Sequence, residues 1–293
     1  MKEQLKTVFL LTLLSGLFLV IGYTVGGRSG LTSALFMSLL LNAGAYWFSD
    51  KIVLAMHRAQ PIGPHHPSGV YEIVEELVEQ AALPMPKVYL IPEGVPNAFA
   101  TGRNPENAAV AVTEGVVRLL DERQLRAVLA HEISHVRNRD ILVSTIVAAI
   151  ASAIMYLVHM LQWFGVTGYR QDREGERRGP NPIFMIFTVL LAPFVATLIQ
   201  MAVSRTREFM ADESGAPLSK DPQALASALQ KISDPALIRT FQRENRLANM
   251  QPAFAHLYIV NHFSGEAVLN WFSTHPSVQE RVRRLQAMAQ GES

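Results

Sequence analysis

The chain has 293 residues, 49% hydrophobic and 17% charged, and its mean hydropathy of +0.16 is too apolar for an ordinary soluble enzyme of this size, so membrane segments are expected. A formal net charge of +1 without any basic block excludes nucleic acid as the main partner. The absence of cysteine excludes disulfides and thiolate metal ligands, and suits a reducing compartment.

Thr7 to Val25 is a charge-free apolar run, and the stretch Gly26-Gly27-Arg28-Ser29-Gly30 separates it from a second, Leu31 to Phe48. Residues 1–50 are therefore expected to form an N-terminal transmembrane hairpin. The first run is too long for a cleaved leader, lacks a small-residue cleavage site and is followed at once by another apolar run. Residues 51–140 supply the first soluble block. Helical spacing runs from Val70 to Ala82, Pro84 and Pro86 end it, and Lys87 to Ile91, Asn97 to Thr101 and Ala108 to Thr113 read as strands. Asp121 with Gln124 three positions on predicts an N-cap and capping box, and Leu125, Val128, Leu129 and Val136 continue an apolar helical stripe.

That helix carries His131-Glu132-Ile133-Ser134-His135. Residues four apart share a helical face, so both imidazoles can reach one tetrahedral metal ion while Glu132 leans toward the water that such an ion activates. Two further apolar runs follow, Ile141 to Phe164 and Ile183 to Val203, each long enough to cross a bilayer, so residues 141–203 are expected to form a second transmembrane hairpin. A buried core hairpin or re-entrant pair is the alternative. The Tyr169 to Asn181 loop between them carries Arg170, Arg173, Arg177 and Arg178, against the positive-inside tendency. The other flanks agree with one another: Lys2, Lys6, Lys51, Arg58, Arg137, Arg139, Arg205 and Arg207 all belong on the cytoplasmic side.

Residues 204–293 form the second soluble block. A catalytic zinc has three protein ligands and an open position. The local sequence supplies no third histidine, because Asn138 and Ile141 stand where an extended motif would place glycine and histidine. Glu208 is the best candidate, with Asp212 on the same helical face to orient a ligating imidazole. His135 lies six positions before the third run, roughly 9 Å of helix, and Glu208 five after the fourth, roughly 8 Å, so a hairpin would bring both to one depth. Asp221-Pro222 begins a helix through Ile232, and His275-Pro276 another through Arg283 and Arg284. His275 or Arg281 could donate to a developing oxyanion. Alternatively, the His-Pro step only starts a helix and Arg281 is a solvated helix residue.

These motifs, with Asn97-Ala98-Phe99-Ala100 and Thr274-His275-Pro276 followed by Arg281, resemble the HtpX-type membrane zinc endopeptidases over nearly the whole chain. The resemblance implies a mainly α fold with a small β-sheet, a polytopic membrane protein carrying a gluzincin-like zinc peptidase domain. It implies one Zn2+ per chain on His131, His135 and Glu208, Glu132 as the base, and Asp212 orienting His131. It also implies an edge strand at Asn97, Ala98, Phe99 and Ala100 that pairs with the substrate backbone, although Asn97 could equally serve an ordinary turn after Pro96. The expected setting is a bacterial cytoplasmic membrane with the active site facing the cytoplasm, and the expected partners are the lipid bilayer and unfolded or membrane-protein polypeptides cut for quality control under stress. Self-cleavage in trans is a further expectation, through the Tyr169 to Asn181 loop or the exposed termini. Two other readings compete. An intramembrane site-2-type protease would leave Glu122, Arg123, Arg126, Arg137, Arg139 and Asp140 desolvated in the bilayer. A scaffold with structural zinc would need four closed ligands.

Overall fold

The computed structural model describes residues 2–147, 150, 205–237, 240 and 276–291. Helix α1, Lys2–Met56, is interrupted at Gly27, whose φ of 57° and ψ of −138° only glycine adopts without strain. The chain folds back there. Asn42 Nδ2 donates to Leu11 C=O at 3.2 Å and to Ser15 Oγ at 2.7 Å, whereas an unbroken helix would hold residues 31 apart at about 46 Å. Among the described residues, Gly26–Met56 is the one helix long and apolar enough to cross a membrane. It exposes large apolar side chains, including Phe36 at 71% and Leu40 at 68%. The expected second pair of apolar runs and the loop between them lie outside the described residues, apart from helical residues 141–147 and residue 150.

After α1 come β1 (Gln60–Ile62), α2 (Val70–Gln80), β2 (Lys87–Ile91), β3 (Ala98–Gly102), a short 3-10 turn (Pro105–Asn107), β4 (Ala108–Thr113), α3 (Glu114–Leu119) and α4 (Glu122–Arg137). Beyond the apolar segment lie α5 (Arg205–Ser219), α6 (Pro222–Ile232) and α7 (Val278–Ala289). The fold is mainly helical with a small mixed sheet of order β1-β2-β4-β3, in which only β2 and β4 run parallel. Strand β1 is absent from the sequence reading because three residues containing Pro61 carry no periodic signal. The last helix starts at the Ser277 cap, whose Oγ accepts from Glu280 N–H at 3.2 Å, slightly later than the His-Pro step suggested.

The sheet is covered on both faces, and side-chain alternation sorts its residues between two cores. Val88, Ala98, Ala100, Val110 and Val112 face the larger core with α2, α4, α6 and α7. Ile91, Phe99, Ala109 and Ala111 face a smaller one with Val53 and Leu54 from the end of α1. Strand β4 is buried at every position, as expected for a central strand with both faces packed. Strand β3 forms an edge beside α4. The α4 start is held by the expected capping box, with Gln124 N–H donating to Asp121 Oδ1 at 2.9 Å and Asp121 N–H to Gln124 Oε1 at 3.3 Å. The Gln124 side chain then ties α4 to α6 through Ser227 and Lys231.

Candidate metal centre

Helix α4 presents His131 and His135 one turn apart, and α5 brings Glu208 against them. The nitrogens His131 Nε2 and His135 Nε2 lie 3.2 Å apart, and Glu208 carboxylate oxygens lie 3.6 Å from the first and 3.7 Å from the second. Ligand bonds of about 2.0–2.1 Å at tetrahedral angles put donor atoms about 3.3 Å apart, close to the separation of the two imidazole nitrogens, while a different Glu208 oxygen faces each nitrogen and one donor atom from each of the three residues lies within 4.8 Å of the others. The described residues contain no other group of three such side chains close enough to share an ion.

Each imidazole is steadied through its other nitrogen. His131 Nδ1 donates to Asp212 Oδ1 at 2.9 Å, and His135 Nδ1 lies 3.1 Å from both Asp140 oxygens. A proton held at Nδ1 leaves the Nε2 lone pair aimed at the shared point, which is the tautomer a metal ligand requires. Asp212 is 1% exposed and Asp140 5%, so neither carboxylate is shared with bulk water. Asp140 reaches His135 because Arg139 takes a left-handed conformation, φ 57°, that turns the chain back beneath α4. The Asp140 N–H donates to the His135 carbonyl at 3.3 Å in the same turn.

The close approach of α5 has its own cause. A Cβ on Gly215 would stand 3.0 Å from His131 Cα and 3.1 Å from its nitrogen. Only glycine lets the two backbones meet so closely, and that approach brings Asp212 and Glu208, one and two turns earlier, onto the histidines.

Arg281 enters from α7 and is 1% exposed. Its Nε and Nη2 donate to Asp212 at 2.8 and 2.7 Å, its Nη1 lies 3.4 Å from Glu208 Oε2, and Nη2 lies 3.3 Å from His131 Nδ1. The solvated alternative for this residue is thus overturned: α7 turns Arg281 inward, where its fork matches the Asp212 carboxylate. His275 lies outside the described residues. Glu132, 6% exposed, accepts a hydrogen bond at Oε2 from the Ala100 N–H at 3.0 Å, which joins β3 to the site. Ala98, Phe99 and Ala100 lie on this edge strand. Asn97, just before it, pairs with Thr113 on the central strand: its N–H donates to Thr113 Oγ1 at 2.8 Å, and its carbonyl accepts from the Thr113 N–H at 2.9 Å.

The electrostatics match this arrangement. Burial and the Arg281 charge push the His131 pKa down, but Asp212 and Glu208 outweigh them and it rises. Burial likewise lowers His135, and the Asp140 carboxylate reverses this and pushes it up to about 10. Burial would raise Asp212, yet Arg281 and His131 hold it below the usual carboxylate range. Burial raises Glu132, assisted by the Glu208 charge and opposed by the two histidines and the Ala100 N–H. A carboxylate with a raised pKa is a stronger base. Asp140, Arg281 and Gly215 complete the arrangement that the sequence reading began. Only Arg281 had a signal in the sequence, and that signal pointed to a different role.

Residues 64–289 match the sequence family described as Peptidase family M48. The chain is 49% identical over 288 residues to the Protease HtpX homolog of Syntrophobacter fumaroxidans, covering 98% of this chain and 100% of that one. It is 50% identical over 290 residues to the Protease HtpX homolog of Ralstonia pickettii, covering 99% and 98%. Among solved structures, Ste24p of S. mikatae is similar at a TM-score of 0.47 and 20% identity, over 97% of this chain and 65% of that chain.

Proposed function

The chain belongs to peptidase family M48 and is a zinc metalloprotease, and from that premise we propose that His131, His135 and Glu208 hold one zinc ion per chain while Glu132 is the catalytic base. The observation that carries this reading is the cluster in which His131 Nε2 and His135 Nε2 lie 3.2 Å apart and each faces a Glu208 oxygen, at 3.6 and 3.7 Å, with both histidines held from behind by carboxylates. When bound, the ion supplies a Lewis acid that lowers the pKa of water toward about 7 and polarises the scissile carbonyl. Glu132 then accepts the proton from the attacking water and passes it to the departing amine. Asp212 and Asp140 hold the imidazoles, and Arg281 keeps Asp212 ionised and placed. The three ligands leave one position open, which favours catalysis over a closed structural site.

The proposed setting is a bacterial cytoplasmic membrane, spanned more than once and with the site facing the cytoplasm. In it, residues 1–50 form the anchoring hairpin and 141–203 a second hairpin, and 51–140 and 204–293 join as one catalytic domain. The apolar, exposed face of Gly26–Met56 supports an anchor. The exposed Arg123 and the charged ends of α4 support a site outside the hydrocarbon. Its substrates are exposed or unfolded segments of membrane proteins, cut for quality control under stress, and another copy's loop could be cut in trans. The test is zinc-dependent hydrolysis of casein by the detergent-purified chain and by Glu132→Gln. Loss of activity in the variant with zinc retained supports the assignment, and equal activity in both overturns it.

A further inference from the structure

Glu132 Oε2 accepts from the Ala100 N–H, so the position of β3 enters the position of the carboxylate. On the β4 side the ladder fixes this strand. Thr113 N–H donates to the Asn97 carbonyl at 2.9 Å, and hydrogen-bonded pairs alternate along an antiparallel ladder, so Phe99 with Ala111 and Thr101 with Ala109 are the next ones. The N–H groups of Ala100 and Gly102 therefore turn away from β4. Both are satisfied within the protein, the first by Glu132 and the second by Thr145 Oγ1 at 3.1 Å.

Thr145 belongs to the helical segment that starts after Asp140. Thr145 and Thr101 both have 0% exposure. The Thr145 hydroxyl donates to the Ile141 carbonyl at 2.7 Å, so its lone pairs accept from Gly102 N–H and from the Thr101 hydroxyl at 3.0 Å. All of its hydrogen-bonding capacity is used. The contact sits where the strand leaves the sheet. The ladder ends with the Gly102–Ala108 pair, Gly102 has φ 132°, and a Cβ on it would come within 2.3 Å of the Asn107 carbonyl oxygen.

Two supports of the site meet through this hydroxyl. Asp140, just before the helical segment, holds His135, and Ala100, two residues before Gly102, holds Glu132. Both side chains leave α4, but groups outside α4 orient them, and Thr145 bonds the strand that carries one such group to the helix that follows the other. Without the hydroxyl, Gly102 N–H is left buried and unpaired, which the strand end relieves by moving or by admitting water. A displacement of about 1 Å at a catalytic group costs on the order of a hundredfold in rate. We propose that Thr145 is a positioning residue for the hydrolysis: it fixes the end of β3 against the helix after Asp140 and so keeps Ala100 N–H where it aims Glu132. The inference rests on the reading that Glu132 is the base at a zinc site.

The experiment uses the full chain in detergent and one peptide substrate, with kcat, KM and zinc affinity measured for each variant. Thr145→Val keeps the shape of the side chain and removes the hydroxyl, so kcat should fall about ten- to hundredfold. KM and the zinc dissociation constant should stay within about threefold of native, since His135 and Asp140 keep their own turn. Thr145→Ser, which restores the hydroxyl, should bring kcat back to within about threefold of native. Glu132→Asp supplies a second background: its shorter carboxylate no longer meets Ala100 N–H, so there Thr145→Val should lower kcat by less than about threefold. If Thr145→Val does not fold, Thr145→Ala goes through the same measurements. An unchanged kcat in Thr145→Val overturns the proposal. So do a Thr145→Ser as slow as Thr145→Val, a loss of zinc that parallels the loss of kcat, and an equal loss in the Glu132 and Glu132→Asp backgrounds. Glu132→Gln separates the two readings: activity retained with zinc bound counts against the base assignment, whereas its inactivity beside a native-like Thr145→Val counts against Thr145 alone.

Discussion

His131 and His135 leave the same helix one turn apart, yet they are steadied from very different distances along the chain. His135 is held by Asp140, five residues on, through a single left-handed turn at Arg139. His131 is held by Asp212 on α5, which is in turn held by Arg281 on α7, 150 residues from the histidine. One half of the site is local and comes with α4. The other half is tertiary and exists only when α5 and α7 have packed. A metal site assembled in this way depends on the whole domain even though its motif spans a single helical turn.

Breaking the tertiary half should have the largest effect. Arg281→Met takes from the buried Asp212 its one guanidinium partner and leaves it with His131 alone, which costs about 3–5 kcal/mol, and zinc should be lost from the purified protein. Thermal melting and metal analysis check both. The double variant Arg281→Met, Asp212→Leu should recover much of the stability but not the zinc, because replacing both charges removes the desolvation penalty without restoring the histidine's orientation.

The two carboxylates sharpen the comparison at a smaller scale. Asp212→Asn and Asp140→Asn should each weaken zinc binding by about ten- to hundredfold, Asp212→Asn more so, since it also disturbs Arg281. Competition with a chromophoric chelator measures this. The metal-free protein adds a signature in pH. His135 has a folded pKa raised to about 10, so its contribution to stability is complete below the unfolded value of about 6.5 and is lost as pH rises toward the folded one. Asp140→Asn should flatten the decline of the melting temperature over that window.

The smallest effect belongs to the support beneath both halves. Asp221 caps α6, accepting from Ala224 N–H at 2.9 Å, and pairs with Arg123 on α4. Asp221→Ala should cost about 1 kcal/mol and leave zinc affinity unchanged. A loss of zinc in that variant would show that the α4–α6 contact positions the metal ligands as well as the scaffold.

Legibility in the sequence followed the same division. The α4 cap, its apolar stripe and the two histidines are local signals, and the strands at 87–91 and 108–113 appear with the bounds their residues suggested. Glu208 and Asp212 were legible because i, i+4 spacing places two carboxylates on one face. Asp140 was not, because it looked like one more charge flanking an apolar run. Arg281 sits in a helix beside the exposed Arg283 and Arg284, and nothing local says which of the three turns inward. The need for glycine at 215 is set by a backbone on another helix, so no window of sequence around it could reveal it. The strands beside Pro61 and Gly102 blurred for the reason that both residues interrupt strand periodicity.

The arrival of Arg281 on α7 also has a consequence in time. Ribosomes deliver α4 and α5 well before α7, so a nascent chain owns every metal ligand before it owns the arginine that makes Asp212 tolerable in the interior. A product that stops short of α7 would carry the proposed ligands without the guanidinium that sets Asp212 behind His131.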